Sequence, residues 1–232
     1  MVFTYSLDVI VPFYNEERYL KKSVERLLSA NIHNKIYLVN NNSTDSSTII
    51  AKKFAFESQD IEYIETSNQA GKGVAIKEAI PYLDGTHAII HDADLEYFPD
   101  DIIEMKKISK DNIDTMVIGS RFIGNKTREN NYIRTIAANK LLSIFFSIVY
   151  SKKISDIATC YKLFPTKFLK EIELEEDGFA IEVEITAKFL KTNNFKILEV
   201  PIKYEGRTYA EGKKITTLDG LKYIVASLIY RL

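Results

Sequence analysis

Apolar residues in the first half of the chain fall into short β-branched runs, and between them the spacing widens to that of a helix. "LDVIVPF" (7–13), "KIYLVN" (35–40), "IEYIET" (61–66), "HAIIHD" (87–92) and "TMVIGS" (115–120) predict strands. The stretches between them, "EERYLKKSVERLLSA", "TDSSTIIAKKFAFES", "GKGVAIKEAIPYL" and "PDDIIEMKKIS", predict helices, with Thr44 and Asp45 as N-terminal caps for the second. Strand and helix alternating in this way predict an α/β fold with a doubly wound, mostly parallel sheet. Because the strands are nearly all apolar, helices should cover both faces.

The second half is patterned differently. A polar connection, "RFIGNKTRENNYIR", leads into a helix from about 132 to 150, then a strand-like "IATCYKLF", a helix around "AIEVEITAKFLK" and a strand "FKILEVPIKY". A basic loop with glycines, "EGRTYAEGKK" (205–214), precedes a final amphipathic segment. No repeat, low-complexity tract or Pro/Gly/Ser-rich linker interrupts the 232 residues, which suit one large α/β domain. We read residues 1 to about 120 as a nucleotide half and about 121 to 232 as an acceptor half.

The two most apolar segments, "LLSIFFSIVY" (141–150) and "LKYIVASLIYRL" (221–232), fall short of the roughly 18 residues of a membrane-spanning helix. They predict either buried core helices or helices lying in a bilayer interface. With 31 basic and 32 acidic residues the net charge is −1, so no global field draws the chain to nucleic acid or to an anionic surface. One cysteine, Cys160, and three histidines exclude a disulfide framework and leave too few ligands for a Cys/His zinc site. The opening "MVFTYSLDVIVPF" has no basic lead and carries Asp8, so no cleaved signal is expected, and the protein is placed on the cytoplasmic side.

Open parallel sheets bind ligands at the carboxyl ends of their strands. Here those ends carry Pro12, Tyr14, Asn15 and Glu16, then "NNNSTD" (40–45), "SNQAGKG" (67–73) and "DADLE" (92–96), a set rich in hydrogen-bonding groups. The dinucleotide glycine fingerprint and the Walker loop are both missing, which argues against NAD enzymes and P-loop NTPases. Asp92, Asp94 and Glu96 could face one point, where three carboxylates repel unless a cation or proton compensates them. Mg2+ or Mn2+ bridging them to a substrate's phosphates is the economical reading. Asp100 and Asp101, after Pro99, are expected only to start a helix. Strand alternation aims His91 away from the Asp92 side, so it is expected to be packed or exposed rather than a ligand, and Cys160 is expected to be a small core residue.

Taken in order, "VIVPFYNEE", "VNNNSTDSS", "AGKGVAIKEAI", "DADLEYFPDDI", "GSRF", "TCYKLF" and "EVPIKYEGRTYAEGKKI" resemble the family 2 glycosyltransferases of GT-A fold, in particular the dolichol-phosphate mannosyltransferase-like, polyprenyl-phosphate branch. The resemblance implies inverting transfer of a hexose, mannose or glucose, from a GDP- or UDP-sugar to a lipid phosphate. It implies that Pro12, Tyr14 and Glu16 bind the base. Asn40, Asn41, Asn42 and Ser43 stand where the family has "DDGS", so Asn41 takes the place of an acid. Asp92 and Asp94 would serve ribose and metal, Glu96 would be a further metal ligand, and Lys72 would join the donor site. Arg121 and Arg134 would hold the acceptor phosphate through their planar guanidinium groups. A serine that the family carries about a turn after the second arginine is Ala138 here. Arg207 and Lys213, with Lys214 nearby, would lie on a loop closing over the donor diphosphate. Glu182, Glu184 and Asp156 would lie near the sugar; helix geometry lets only one of the two glutamates reach it, and Glu182 is preferred. Two competing readings are transfer to a sugar hydroxyl, with Glu182 or Asp156 as base, and nucleotide-sugar binding without catalysis.

Overall fold

The computed structural model describes residues 4–67, 71–129, 133–192, 196–207 and 217–231. Among the described residues nine strands form: β1 (Leu7–Phe13), β2 (Lys35–Asn40), β3 (Ile61–Glu65), β4 (His87–Ile90), β5 (Thr115–Ser120), β6 (Arg128–Glu129), β7 (Lys162–Pro165), β8 (Lys196–Pro201) and β9 (Tyr204–Glu205). Seven of them make one sheet in the order β3-β2-β1-β4-β7-β5-β8, and β6 pairs with β9 apart from it. β1 pairs in parallel with β2 on one side and β4 on the other, so the winding reverses between β1 and β4. A crevice opens outside the carboxyl ends of two strands that diverge in this way.

The uniformly apolar strands account for the sheet's position in the core. β1, β4, β5 and β7 are buried along their whole length. Helices α1 (Leu20–Ala30), α2 (Ser47–Glu57), α3 (Lys72–Ala79) and α4 (Asp100–Asp111) connect the first five strands. α5 (Ile133–Tyr150), α6 (Thr166–Glu171), α7 (Ile181–Leu190) and α8 (Thr217–Ile229) complete the second half, and α5 packs against α8. The sheet is mostly parallel. The exception is β7, which runs antiparallel between β4 and β5.

Three local expectations change. The cap of α2 is Ser46, without a side-chain bond, and Asp45 accepts the Ser47 N–H at 2.9 Å from just outside the helix. Thr44 instead pairs with Asn15, its backbone N–H donating to Asn15 Oδ1 at 2.8 Å. Asp101 does more than start α4: it is buried, pairs with Lys126 at 2.6 Å and accepts the Lys203 N–H at 2.6 Å, tying α4 to the second half. The third change concerns α5. Its 18 residues, with mean hydropathy 1.3, are long and apolar enough to cross a membrane by length and composition, and only 11% of them are buried. It is therefore no core helix, since of its residues only Ser143 and Phe146 are buried.

The glycines of "GKG" serve packing. Gly71 has φ +114°, and a Cβ on Gly73 would lie 2.1 Å from the Glu176 carbonyl oxygen. That close approach lets the Asp177 carbonyl accept the Gly73 N–H at 2.8 Å and the Val74 N–H at 3.3 Å. The amino end of α3 is thereby closed by protein backbone.

Candidate active site

A cavity of about 880 Å3 lies at the switch point between β1 and β4. From the first half it takes Pro12, Tyr14, Glu16, Asn41, Lys72, Asp92, Asp94 and Glu96; from the second it takes Arg121, Arg134, Ala138, Cys160, Glu182 and Arg207. Asp156 and Glu184 do not line it. Lys213 and Lys214 lie outside the described residues.

The acids meet basic side chains rather than one another. Lys72 Nζ lies 2.7 Å from Asp92 Oδ1 and 2.8 Å from Glu182 Oε1. Burial works against the charge of Lys72, but the two carboxylates outweigh it and raise its pKa well above the usual range. Burial likewise disfavours the Asp92 anion, yet Lys72 holds its pKa below the ordinary carboxylate value. Arg207 spans three acids: Nη1 is 3.1 Å from Glu16 Oε2, Nη2 is 3.0 Å from Asp94 Oδ2, and its backbone N–H donates to Glu96 Oε1 at 2.6 Å. Sharing one guanidinium leaves Asp94 undercompensated. Burial first, then Glu96 and Asp92, push its carboxyl pKa well above the usual range.

Three carboxylates facing one point are not what the chain builds. Glu96 Oε2 accepts the Tyr204 hydroxyl at 2.6 Å and Oε1 accepts the Arg207 N–H, so both of its oxygens are engaged. Among the described residues no group of three His, Cys, Asp or Glu side chains converges as a metal site. The donor set nevertheless fits a hard dication in one respect: Asp92 and Asp94 both line the cavity with carboxyl oxygens, and the crowding of acids and the burial that raise the Asp94 pKa are what a bound cation would relieve.

On the acceptor side, Arg121 is only 8% exposed and its fork is taken. Nε and Nη2 donate to Asp156 Oδ2 and Oδ1 at 2.7 and 2.8 Å, and the Arg121 backbone N–H adds a third bond to Oδ2 at 3.0 Å. Asp156 is thus a fully buried anchor beneath Arg121 instead of an acid at the sugar. The guanidinium lies over the Tyr204 ring at 4.9 Å and keeps Nη1 for another ligand. Arg134, exposed on α5, lines the cavity beside Ala138 and has no ion-pair partner among the described residues.

As helix geometry requires, only one of the two glutamates on α7 lines the cavity. Glu182 reaches the cavity, whereas Glu184 turns back to accept the N–H groups of Glu175 and Glu176, both at 2.8 Å, and to pair with Lys188. Of the three asparagines, only Asn41 lines the cavity. Asn40 donates to Thr48, Tyr63 and Glu65, and Asn42, at φ 56°, donates to the Thr66 carbonyl. His91 is packed between Ser23 and Tyr161, at 3.1 and 2.9 Å, and burial lowers its pKa to about 4. Cys160, although buried, lines the cavity wall, and burial raises its thiol pKa well above the usual range.

Sequence reasoning missed Lys162, Tyr204 and Tyr223. Lys162 is fully buried and donates to the Ile157 and Thr159 carbonyls and to Glu182 Oε2, at 2.9, 2.6 and 2.9 Å. The signal was present: a lysine inside the apolar run "TCYKLF" must find a partner, because an unpaired buried ammonium is prohibitive. Tyr204 and Tyr223 bring the β9 and α8 segments to the cavity, a placement that no local pattern announces.

Residues 8–173 match the family described as "Glycosyl transferase family 2". The chain belongs to that family. This glycosyltransferase is 24% identical over 212 residues to a polyprenol monophosphomannose synthase of Mycolicibacterium smegmatis, covering 88% of this chain and 79% of the relative. It is 24% identical over 211 residues to a dolichol-phosphate mannosyltransferase of Pyrococcus furiosus, covering 89% of this chain but only 58% of that longer protein. Among solved structures, glucosyl-3-phosphoglycerate synthase of Mycobacterium tuberculosis, in complex with Mn2+, UDP-glucose and phosphoglyceric acid, superposes with a TM-score of 0.70 at 15% identity. The match covers 98% of this chain and 79% of that one. The same enzyme with Mg2+ and UDP gives a TM-score of 0.70 at 16% identity, over 98% and 79% of the two chains. These structural likenesses establish the GT-A fold of the glycosyltransferase.

Proposed function

We propose that this enzyme acts as one catalytic domain that transfers a hexose, mannose or glucose, from a GDP- or UDP-sugar to a polyprenyl or dolichyl phosphate, with inversion, at the cytoplasmic face of a membrane to which it attaches peripherally. The observation that carries the reading is the meeting of two kinds of residue in one cavity. Strand-end acids with their lysine and arginine partners face Arg121 and Arg134, and Arg134 belongs to an apolar helix of which only 11% is buried. The two lipid-phosphate relatives are consistent with it.

A phosphate acceptor is already anionic at neutral pH, so no proton has to be removed to activate it. The task is to align it. Arg134 and the Nη1 side of Arg121 would hold the acceptor phosphate while one of its oxygens attacks the anomeric carbon and the nucleoside diphosphate departs with the electrons of the broken bond. Lys72 and Arg207 would meet the donor's negative charge, and Tyr14, Pro12, Glu16 and Asn41 would seat its nucleoside. Asp92 and Asp94, with Glu96 beside them, would hold Mg2+ or Mn2+. When bound, that ion supplies charge stabilisation for the departing diphosphate.

The hydroxyl-acceptor reading requires a free base. Both carboxylates suggested for it are engaged, Asp156 by Arg121 and Glu182 between Lys72 and Lys162, which favours the phosphate acceptor. The deciding assay supplies GDP-mannose or UDP-glucose with a polyprenyl phosphate in detergent. Formation of a lipid phosphosugar supports the proposal, and transfer only to sugar hydroxyls overturns it. Thermal shifts with GDP and UDP, each with and without Mn2+, select the base and test the ion. Complete recovery of the protein in the soluble fraction of cells, without salt or carbonate extraction, would remove the membrane part.

A further inference from the structure

α5 has two sides, and each lines a hollow. Arg134, Ala138 and Leu142 face the catalytic cavity. Lys140, Ile144 and Ile148 face a second groove of about 500 Å3, closed by Phe122 and by residues 151–155. The floor of this groove is apolar, and Ile144 and Ile148 stand 56% and 72% exposed. Its rim is cationic. Lys140 sits 5.7 Å over the Phe122 ring, and Lys152 and Lys153 follow the end of α5; none of the three has a carboxylate partner among the described residues.

The charge is one-sided along the sequence as well. Residues 130–155 contain Arg134, Lys140, Lys152 and Lys153 but no Asp or Glu, in a chain whose net charge is −1. Of the neighbouring carboxylates, Glu199 is held by the Ser155 N–H and hydroxyl at 2.9 and 2.7 Å, and Asp156 by Arg121. The serines of the groove offer little to a polar ligand. Ser143 donates to the Asn139 carbonyl, and Ser147 bonds the Ser143 and Ile154 carbonyls. A sugar or nucleotide would find ammonium groups and, besides them, little free polar lining beyond the exposed Ser151 hydroxyl. An amphiphile with an anionic head and apolar chains satisfies both parts.

We propose that this groove is a headgroup site for an anionic phospholipid, distinct from the substrate cavity, so that the enzyme docks on bilayers carrying acidic lipids and reads α5 from its outer side. The inference rests on the reading of the acceptor as a membrane lipid phosphate.

The test compares co-sedimentation of the full chain with phosphatidylcholine vesicles and with phosphatidylcholine vesicles containing phosphatidylglycerol. Binding should be stronger to the acidic vesicles. It should fall roughly twenty-five-fold in the Lys152→Gln/Lys153→Gln variant, at roughly five-fold per lysine near a charged surface. Transfer to a lipid phosphate in detergent should be unchanged in that variant, because neither lysine lines the substrate cavity. Equal binding to the two kinds of vesicle, or unaltered binding of the variant, overturns the proposal. So does a dimer of the wild-type chain in solution that the two substitutions dissolve, since it assigns the groove to a second copy. Absence of transfer to lipid phosphate in detergent is the separate failure, that of the acceptor reading itself.

Discussion

The floor of the catalytic cavity and the outer side of α5 treat charge in opposite ways. At the strand ends the described bases are paired with acids: Lys72 with Asp92 and Glu182, Lys162 with Glu182, Arg207 with Glu16 and Asp94, and Arg121 with Asp156 through two of its three nitrogens. Along α5 the bases stand uncompensated beside exposed isoleucines. Buried pairs add little net stability because desolvation opposes their attraction, but they hold each carboxylate in one place. A ligand entering the cavity must exchange ion pairs that already exist. A surface meeting α5 exchanges only water and salt. The first region is organised for orientation and the second for attraction.

The sharpest way to break this contrast is to remove a buried partner. Asp156→Ala leaves the Arg121 guanidinium buried without its fork, and should cost about 3–5 kcal/mol in urea unfolding. A loss below about 1 kcal/mol would show that Arg121 already leans on another anion. Next in size, Asp94→Asn should lower sugar transfer on the order of 100-fold while leaving the unfolding midpoint near wild type, because Arg207 retains Glu16. An unchanged rate would remove Asp94 from the donor site. Arg134→Gln, on the uncommitted side, should raise the KM for the lipid phosphate about ten-fold, the loss of one charge-assisted contact, without altering the KM for the nucleotide sugar.

The smallest effect concerns His87, which is stacked on Tyr5 at 4.6 Å with Nε2–H donating to the Ile113 carbonyl at 2.9 Å. Burial lowers its pKa, although Asp114 opposes the shift. The unfolded chain then takes up a proton below about pH 6.5 that the folded chain refuses, so stability is full above that value and declines as the pH falls. His87→Gln should make the decline between neutral and acidic pH shallower in thermal melts. An identical decline in the variant would assign it to other groups.

Much of the first half was legible because its signal is local. Apolar runs of strand length, interrupted by helical spacing, place β1 to β5 to within about two residues. The antiparallel course of β7 was not legible, since a strand's apolar pattern reads the same in either direction. The helix over about 132–150 was legible, but its membrane-spanning length was not, because the apolar count began at Leu141 and left out the polar first turns that start at Ile133. At the site, the strand-end rule collected the acids but could not give them partners. Glu96 is claimed by Tyr204 and by the Arg207 backbone, more than a hundred positions away, and only the tertiary fold makes that pairing.

The closure of α3 by the Asp177 carbonyl has a consequence for how this enzyme can change. Where a helix end cradles phosphate, recognition belongs to the backbone and survives most substitutions. Here the N–H groups of Gly73 and Val74 are already spoken for, so on the proposed reading Lys72, Arg207 and Asn41 must carry donor recognition as side chains. Each is a single codon. A lineage built on this fold can therefore shift its choice of base or sugar by point substitution, with the scaffold untouched. The same dependence leaves it little redundancy when one of those side chains is lost.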